Sequence, residues 1–349
     1  MRYTMTNRKL AGDLFKQLMN AANYVQLRNI QVSVIGAATH VGANLALLLK
    51  DNNNIRRLQL YDDDEKVKGM GLELGHIPGG PAVAAFCGDY NLYPAIRSSD
   101  LVVMISRFTR NTTNTKEQII AANAPGLQKV CRALADQNPD AFFAIASSPI
   151  NSMVPFVSTL MSRYNCYNPY KVFGITHIDP ARSRSYVAKA LNVNPQHLCV
   201  PVIGGHSEDT IVPLFSNLSP SCYCVDACQA DTLTRLVRKA GAEVLNQKQK
   251  VESATLTVAW SINEFISLMA EAIAGGQVTV NSYVTNPHYG TRYFSGPTTV
   301  GPQGIVPSWY ELPMNEYESY LLNCSVPVIN RDIALGEDYV RYMELVRRQ

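Results

Sequence analysis

An α/β fold built on a doubly wound parallel sheet is predicted by three features of this 349-residue chain. Short apolar runs recur between residues 31 and 148. Helical patterns separate them. The first run ends in a glycine loop, Gly36-Ala-Ala-Thr-His-Val-Gly42, that opens a helix. Apolar strands alternating with helices imply a parallel sheet covered on both faces. Such sheets bind ligands at the carboxyl ends of their strands, near the topological switch point.

Taken in order, Gln31-Val-Ser-Val-Ile35 is the first expected strand, and Val41 to Lys50 is the helix after it. Arg57-Leu-Gln-Leu-Tyr61 is the second strand, closed by acids, and Leu101–Ile105 and Ala141–Ile145 are further buried strands. The second half changes character. A helix is predicted from Ala181 to Leu191, directly after Pro180, because the fixed φ of proline suits a first helical turn. Leu198–Ile203 reads as a strand running into Gly204-Gly205, and helical patterns occupy Ala227–Gln247 and Ala254–Ala274. Residues 277–306 turn β-like, with Thr, Val and Tyr between Gly and Pro turns, and Pro313–Val346 looks largely helical. The expected organisation is an N-terminal extension over residues 1–30, a cofactor-binding domain over 31–172 and an α+β catalytic domain over 173–349.

Composition narrows the function classes. Hydrophobic residues make up 46% of the chain, as in packed globular proteins. A net charge of +3 provides no basic stripe for nucleic acid. No run of about 18 apolar residues marks a membrane span. Of eight cysteines, Cys222, Cys224 and Cys228 are the tightest group, but no histidine stands at zinc-finger spacing, so they read as reduced thiols and no metal is expected. The first 30 residues hold Arg2, Arg8, Lys9, Lys16 and Arg28 with Asp13 as their only acid. Leu10, Leu14, Leu18 and Ala21 share a helical face. That pattern suits a mitochondrial transit peptide or a solvated N-terminal helix, so both a mitochondrial and a cytoplasmic residence stay open.

The glycine loop points to a dinucleotide. Gly36 permits a tight turn, and backbone N–H groups at the helix start face a diphosphate. Asp62, 20 residues after Gly42, ends the next strand. A carboxylate there accepts hydrogen bonds from ribose hydroxyls and repels the extra phosphate of NADP, so NAD is the expected cofactor. Thr39 and His40 stand where the middle glycine of such loops would lie. They either crowd the diphosphate or, in the case of His40, offer it a donor.

Two further segments carry chemistry. Val200-Pro-Val-Ile-Gly-Gly-His206 places a histidine after a strand and two glycines, and Phe173-Gly-Ile-Thr-His-Ile-Asp-Pro-Ala-Arg182 adds a carboxylate and a guanidinium three residues apart. Together with Leu60-Tyr-Asp62, Ser147-Ser-Pro-Ile-Asn-Ser-Met-Val-Pro155, Ser253-Ala-Thr-Leu256 and Asn315-Glu-Tyr-Glu318, these resemble the malate dehydrogenase family within the lactate/malate dehydrogenase superfamily. The resemblance runs from about Gln31 to Val340. It implies a Rossmann-type NAD-binding domain followed by a substrate-binding domain, and an NAD-dependent exchange of hydride between malate, or a related 2-hydroxy acid, and its 2-oxo acid. It implies His206 as the acid–base residue with Asp179 as its partner. It implies Arg182 on the substrate's C1 carboxylate, Arg110 polarising the reacting carbonyl and Lys116 at the position reading the distal carboxylate. Asn151 matches the asparagine orienting substrate and nicotinamide, Asn123 a polar position behind the active-site loop, and Gly36, Gly42 and Asp62 the cofactor loop. A homodimer or homotetramer is implied as well.

The chain also departs from the family pattern. Lys116 keeps the charge of an arginine but loses its bidentate fork. The segment Phe108-Thr-Arg-Asn-Thr-Thr-Asn114 holds no Gly or Pro, Ser148 replaces an asparagine, and Ser207-Glu208-Asp209 follows the histidine. A non-catalytic relative serving as a structural or binding subunit is the alternative that these departures carry.

Overall fold

The computed structural model describes residues 30–105, 114–307 and 312–347. The N-terminal extension and Arg110 therefore lie outside the described residues. The expected doubly wound sheet is present. Strand β1 (Ile30–Ile35) leads through helix α1 (His40–Lys50) to β2 (Ile55–Asp62), and then through α2 (Lys66–Gly75) to β3 (Ala82–Cys87). A short helix α3 (Leu92–Ile96) precedes β4 (Leu101–Met104), α4 (Lys116–Gln137), β5 (Phe142–Ile145), α5 (Ile150–Arg163) and β6 (Val172–Ile175). These six strands pair in parallel in the order β3-β2-β1-β4-β5-β6. The order reverses direction beside β1, which puts the switch point at the glycine loop.

The sheet then continues as an antiparallel extension. After α6 (Ile178–Leu191) come β7 (Val202–Gly204), β8 (Ile211–Pro213), α7 (Ala227–Gln247) and α8 (Leu256–Ile273). The chain ends with β9 (Val278–Thr285), β10 (Tyr293–Gly301), β11 (Gly304–Ile305) and the long α9 (Glu316–Arg347). β9 joins β6 antiparallel, and β10, β7 and β8 extend the sheet beyond it.

Two apolar layers clothe the sheet. On one face, Val41, Leu45 and Leu49 recur at helical spacing along α1 and pack with Ile262, Phe265, Ile266 and Met269 of α8. Each fully buried leucine there, such as Leu45 or Leu49, contributes about 1.5–3 kcal/mol. By length and composition α8 could cross a membrane. Its buried stripe against α1 makes it a core helix here. On the other face, α4 and α5 pack with α9 through Leu127, Cys131, Phe156, Ile329, Ile333 and Val340.

Two boundaries differ from expectation for clear reasons. α6 begins at Ile178 rather than after Pro180, because a first-turn residue needs no intrahelical N–H bond and proline is tolerated there. The strand expected over Leu198–Ile203 shrinks to Val202–Gly204, and Cys199 makes only an isolated bridge to Ser219. α2 and β3 had no counterpart in the sequence reading. β3 is an alanine-rich edge strand whose residues are half-exposed or exposed, so it lacks the unbroken apolar run of its neighbours.

Candidate active site

The glycine loop is shaped by contacts that exclude side chains. Gly36 has φ +87°, and a Cβ on it would lie 2.6 Å from the Ile105 carbonyl oxygen. A Cβ on Gly42 would lie 2.3 Å from the Gly36 carbonyl oxygen, so α1 starts directly against the loop. Thr39 caps α1. Its hydroxyl accepts from the Gly42 N–H (3.0 Å) and donates to the Gly36 carbonyl (2.8 Å). The side chain is thus folded back into the loop. His40 is exposed and its Nδ1 meets Glu252 of the α7–α8 connection. Neither residue is arranged as a plug, and the first-turn N–H groups of His40 and Val41 are the donors that the cap does not use. These residues fit a dinucleotide diphosphate.

Asp62 ends β2, beside the glycine loop. It is 1% exposed and accepts from the N–H of Ala38 and of Asp64, both at 2.9 Å. These two bonds brace the loop. Asn123, on α4, is buried and donates to the Ser148 carbonyl at 3.1 Å, tying α4 to the turn before α5.

The fold brings His206 and Asp179 together. His206 follows β7, and its Nδ1 lies 2.6 Å from Oδ2 of Asp179 on the first turn of α6. Asp179 is 1% exposed, and its other oxygen is buried with no hydrogen-bond partner among the described residues. Arg182 stands three residues on, on the same helix. Its guanidinium makes no ion pair or hydrogen bond among the described residues, and it lies beside α7, 3.9 Å from where a Cβ on Gly241 would be. A half-buried guanidinium without an anion is an open anion site.

The turn that carries His206 is held tightly. The Gly205 N–H donates to the Thr210 carbonyl (2.9 Å), and the fully buried Thr210 hydroxyl accepts from the Ser207 N–H (3.0 Å). Asn151, at the start of α5, accepts the His206 N–H on Oδ1 (2.8 Å). Its Nδ2 donates to Thr210 Oγ1 (3.2 Å) and Asp332 Oδ2 (3.0 Å). A Cβ on Gly205 would sit 2.6 Å from Thr210 Oγ1 and 2.8 Å from Asn151 Nδ2, so this packing needs glycine. Both donors of the Asn151 amide are committed. In this arrangement the amide braces the histidine from below. Lys116, expected to read a distal carboxylate, pairs with Asp332 at 2.6 Å. Burial lowers the pKa of Arg238, opposed by Tyr317 and by the exposed Asp209, and its Nε donates to the Ile211 carbonyl at 2.8 Å. Among the described residues no cluster of His, Cys, Asp or Glu is arranged for a metal ion.

Thr210 and Asp332 were missed in the sequence. Asp332 had a signal: it interrupts an apolar stripe of α9 that runs through Ile329, Ile333 and Val340. A charge on such a stripe needs a buried partner.

His177, just ahead of α6, is a pH-sensitive support. Burial, and then the neighbouring Arg184, pull it from 6.5 down to about 4. Between those values the unfolded chain binds a proton that the folded chain refuses, so stability falls as pH drops through that window. The expected loss is on the order of 2 kcal/mol after allowing for partial exposure. Urea midpoints at pH 7 and pH 4.5 should differ less for His177→Gln than for wild type; equal differences would remove His177 as the cause.

Comparison with known proteins agrees with this geometry. Residues 30–174 match the lactate/malate dehydrogenase NAD binding domain, and residues 176–340 match the lactate/malate dehydrogenase alpha/beta C-terminal domain. The chain is 32% identical to mitochondrial malate dehydrogenase of Caenorhabditis elegans over 312 residues, covering 89% of this chain and 91% of that protein. It is 32% identical to mitochondrial malate dehydrogenase of Homo sapiens over 320 residues, covering 90% and 93%. Among solved structures, the lactate dehydrogenase of Cryptosporidium parvum, complexed with lactic acid and nicotinamide adenine dinucleotide, superimposes with TM-score 0.77 at 21% identity, covering 89% of this chain and 99% of that one. Malate dehydrogenase of Picrophilus torridus gives 0.76 at 22% identity, covering 90% and 99%. The two domain matches span almost the whole described chain in order, and the chain belongs to the lactate/malate dehydrogenase family.

Proposed function

We propose that the chain is an NAD-dependent malate dehydrogenase, interconverting malate, or a closely related 2-hydroxy acid, and its 2-oxo acid. The observation that carries this is the His206–Asp179 pair at 2.6 Å with the unpaired Arg182 on the same helix. An imidazole exchanges protons near neutral pH, a buried carboxylate fixes its tautomer, and a guanidinium fork matches two carboxylate oxygens.

In this reading Arg182 holds the C1 carboxylate of the substrate. Asp179 accepts the Nδ1–H of His206 and leaves Nε2 free to take the proton of the C2 hydroxyl. The same histidine returns that proton to the carbonyl oxygen in the reverse direction. Gly36, Gly42 and the first N–H groups of α1 hold the diphosphate, Asp62 keeps the loop in shape, and Asn123 supports the turn behind the site. NAD, when bound, accepts and returns the hydride of C2. Arg110 is proposed as a further substrate contact. Lys116 acts on the site through Asp332, and Asn151 through His206.

Residence in mitochondria is part of the proposal. It is supported by the basic, acid-poor first 30 residues and by the mitochondrial relatives. A homodimer or homotetramer is likewise proposed. Exposed Leu47, Leu256 and Trp260, on the mutually packed α1 and α8, supply apolar surface for it.

Absorbance of NADH at 340 nm should fall when the protein is mixed with oxaloacetate, and more slowly with pyruvate. Absence of turnover with either acid, together with no NADH binding by fluorescence titration, would leave the non-catalytic subunit as the better reading.

A further inference from the structure

Asp332 is a buried carboxylate that the reaction does not use directly. Its side chain is 5% exposed. It sits on α9 one turn before Gly336, where a Cβ would lie 2.0 Å from the Ser152 carbonyl oxygen, so α9 and α5 touch backbone to backbone there. This contact puts Asp332 beside Asn151, the neighbour of Ser152.

Burying a carboxylate is costly unless its oxygens are bonded. Each oxygen of Asp332 has one partner. Oδ1 accepts from Lys116 Nζ at 2.6 Å and Oδ2 from Asn151 Nδ2 at 3.0 Å. The two ends of the Asn151 amide face opposite kinds of group, a carboxylate and a backbone N–H, so only one orientation satisfies both. In that orientation Oδ1 receives the His206 N–H at 2.8 Å. Without Asp332, the amide keeps only Thr210 Oγ1 as an anchor for Nδ2 and can pivot about it. The acceptor under His206 then moves. Lys116, the first residue of α4, is the cation that meets this buried carboxylate.

We infer that Asp332 is a positioning residue for the reaction, fixing His206 through Asn151, and that Lys116 acts as its counter-charge rather than as an independent substrate ligand. This rests on the dehydrogenase reading. Catalytic groups tolerate little displacement, and a shift of about 1 Å costs on the order of 100-fold in rate.

The test compares Asp332→Leu, which fills the volume without an acceptor, with Asp332→Asn, which keeps an acceptor for Asn151. Asp332→Leu should lower kcat roughly 10- to 100-fold while KM for oxaloacetate and the NADH dissociation constant stay within about threefold. Asp332→Asn should recover kcat to within about fivefold of wild type, since the lost contact with Asn151 is restored. Lys116→Met leaves the carboxylate buried without a cation. Adding Asp332→Asn to it should raise kcat, because the two residues act on one path.

A second readout needs no turnover. The downfield proton resonance of His206 Nδ1–H, assigned by its loss in His206→Gln, should shift in Asp332→Leu and return in Asp332→Asn. The inference is overturned by a wild-type resonance and kcat in Asp332→Leu, by a loss confined to KM, or by equal damage in both Asp332 variants. An inactive wild-type protein with these resonance shifts intact would overturn the dehydrogenase reading and leave the positioning link standing.

Discussion

Replacing His206 with alanine should lower kcat for oxaloacetate reduction by roughly 10²- to 10⁴-fold, the usual contribution of a positioned proton donor. The reduced carbonyl needs a proton as the hydride arrives, and among the described residues His206 is the only imidazole held by a buried carboxylate. Asp179→Asn should cost on the order of 10²-fold. Its amide can face Nδ1 with either its oxygen or its nitrogen, so the tautomer that leaves Nε2 free is no longer enforced. NADH affinity should change little in either variant, since neither residue touches the glycine loop. Stopped-flow measurement of NADH oxidation at saturating oxaloacetate reads the chemical loss, and a fluorescence titration reads the coenzyme. If His206→Ala keeps more than about a tenth of the wild-type kcat, the imidazole is not the proton donor.

What the sequence disclosed follows a physical division. The parallel half was legible because its strands are buried on both faces: Leu101–Met104 and Phe142–Ile145 are wholly buried and apolar, and each stands out from its flanks. β3 was not legible, since an edge strand carries only part of that burial. His206, Asp179 and Arg182 were recognisable through the family resemblance, because each lies in a short segment, at the end of β7 or β6, that carries that resemblance. Asn151 and Lys116 were identified as polar positions near the site, but their partners could not be read. Asp332 lies 181 residues from Asn151 and 216 from Lys116, and no local pattern links groups that meet only when α9 packs on α5. The loop offered the reverse case. Thr39 and His40, standing where the middle glycine would lie, left open whether they crowd the diphosphate or, for His40, offer it a donor. The structure resolves this through a capping bond, because Thr39 turns its hydroxyl onto Gly42 and Gly36.

Arg182→Leu should lower kcat/KM for oxaloacetate by roughly 10²- to 10³-fold, the scale of a lost charge-assisted contact to a partly desolvated carboxylate. A structural arginine in a half-buried position is ordinarily met by a carboxylate or by carbonyl oxygens, and none meets this one among the described residues. Arg238 on α7 shows the contrast: Nε there donates to the Ile211 carbonyl, so that guanidinium is partly occupied by the fold. Because Arg182 makes no such bond, removing it should leave the thermal midpoint within a few degrees of wild type. Arg182→Lys should fall between the two, since an ammonium keeps the charge but not the fork that grips two oxygens. A 2-oxo acid amide, which lacks the anionic carboxylate, should discriminate poorly between wild type and Arg182→Leu. Should the leucine variant lose stability in step with activity, or lose equal rate on acid and amide, Arg182 would be a packing residue and the anion site would have to lie elsewhere.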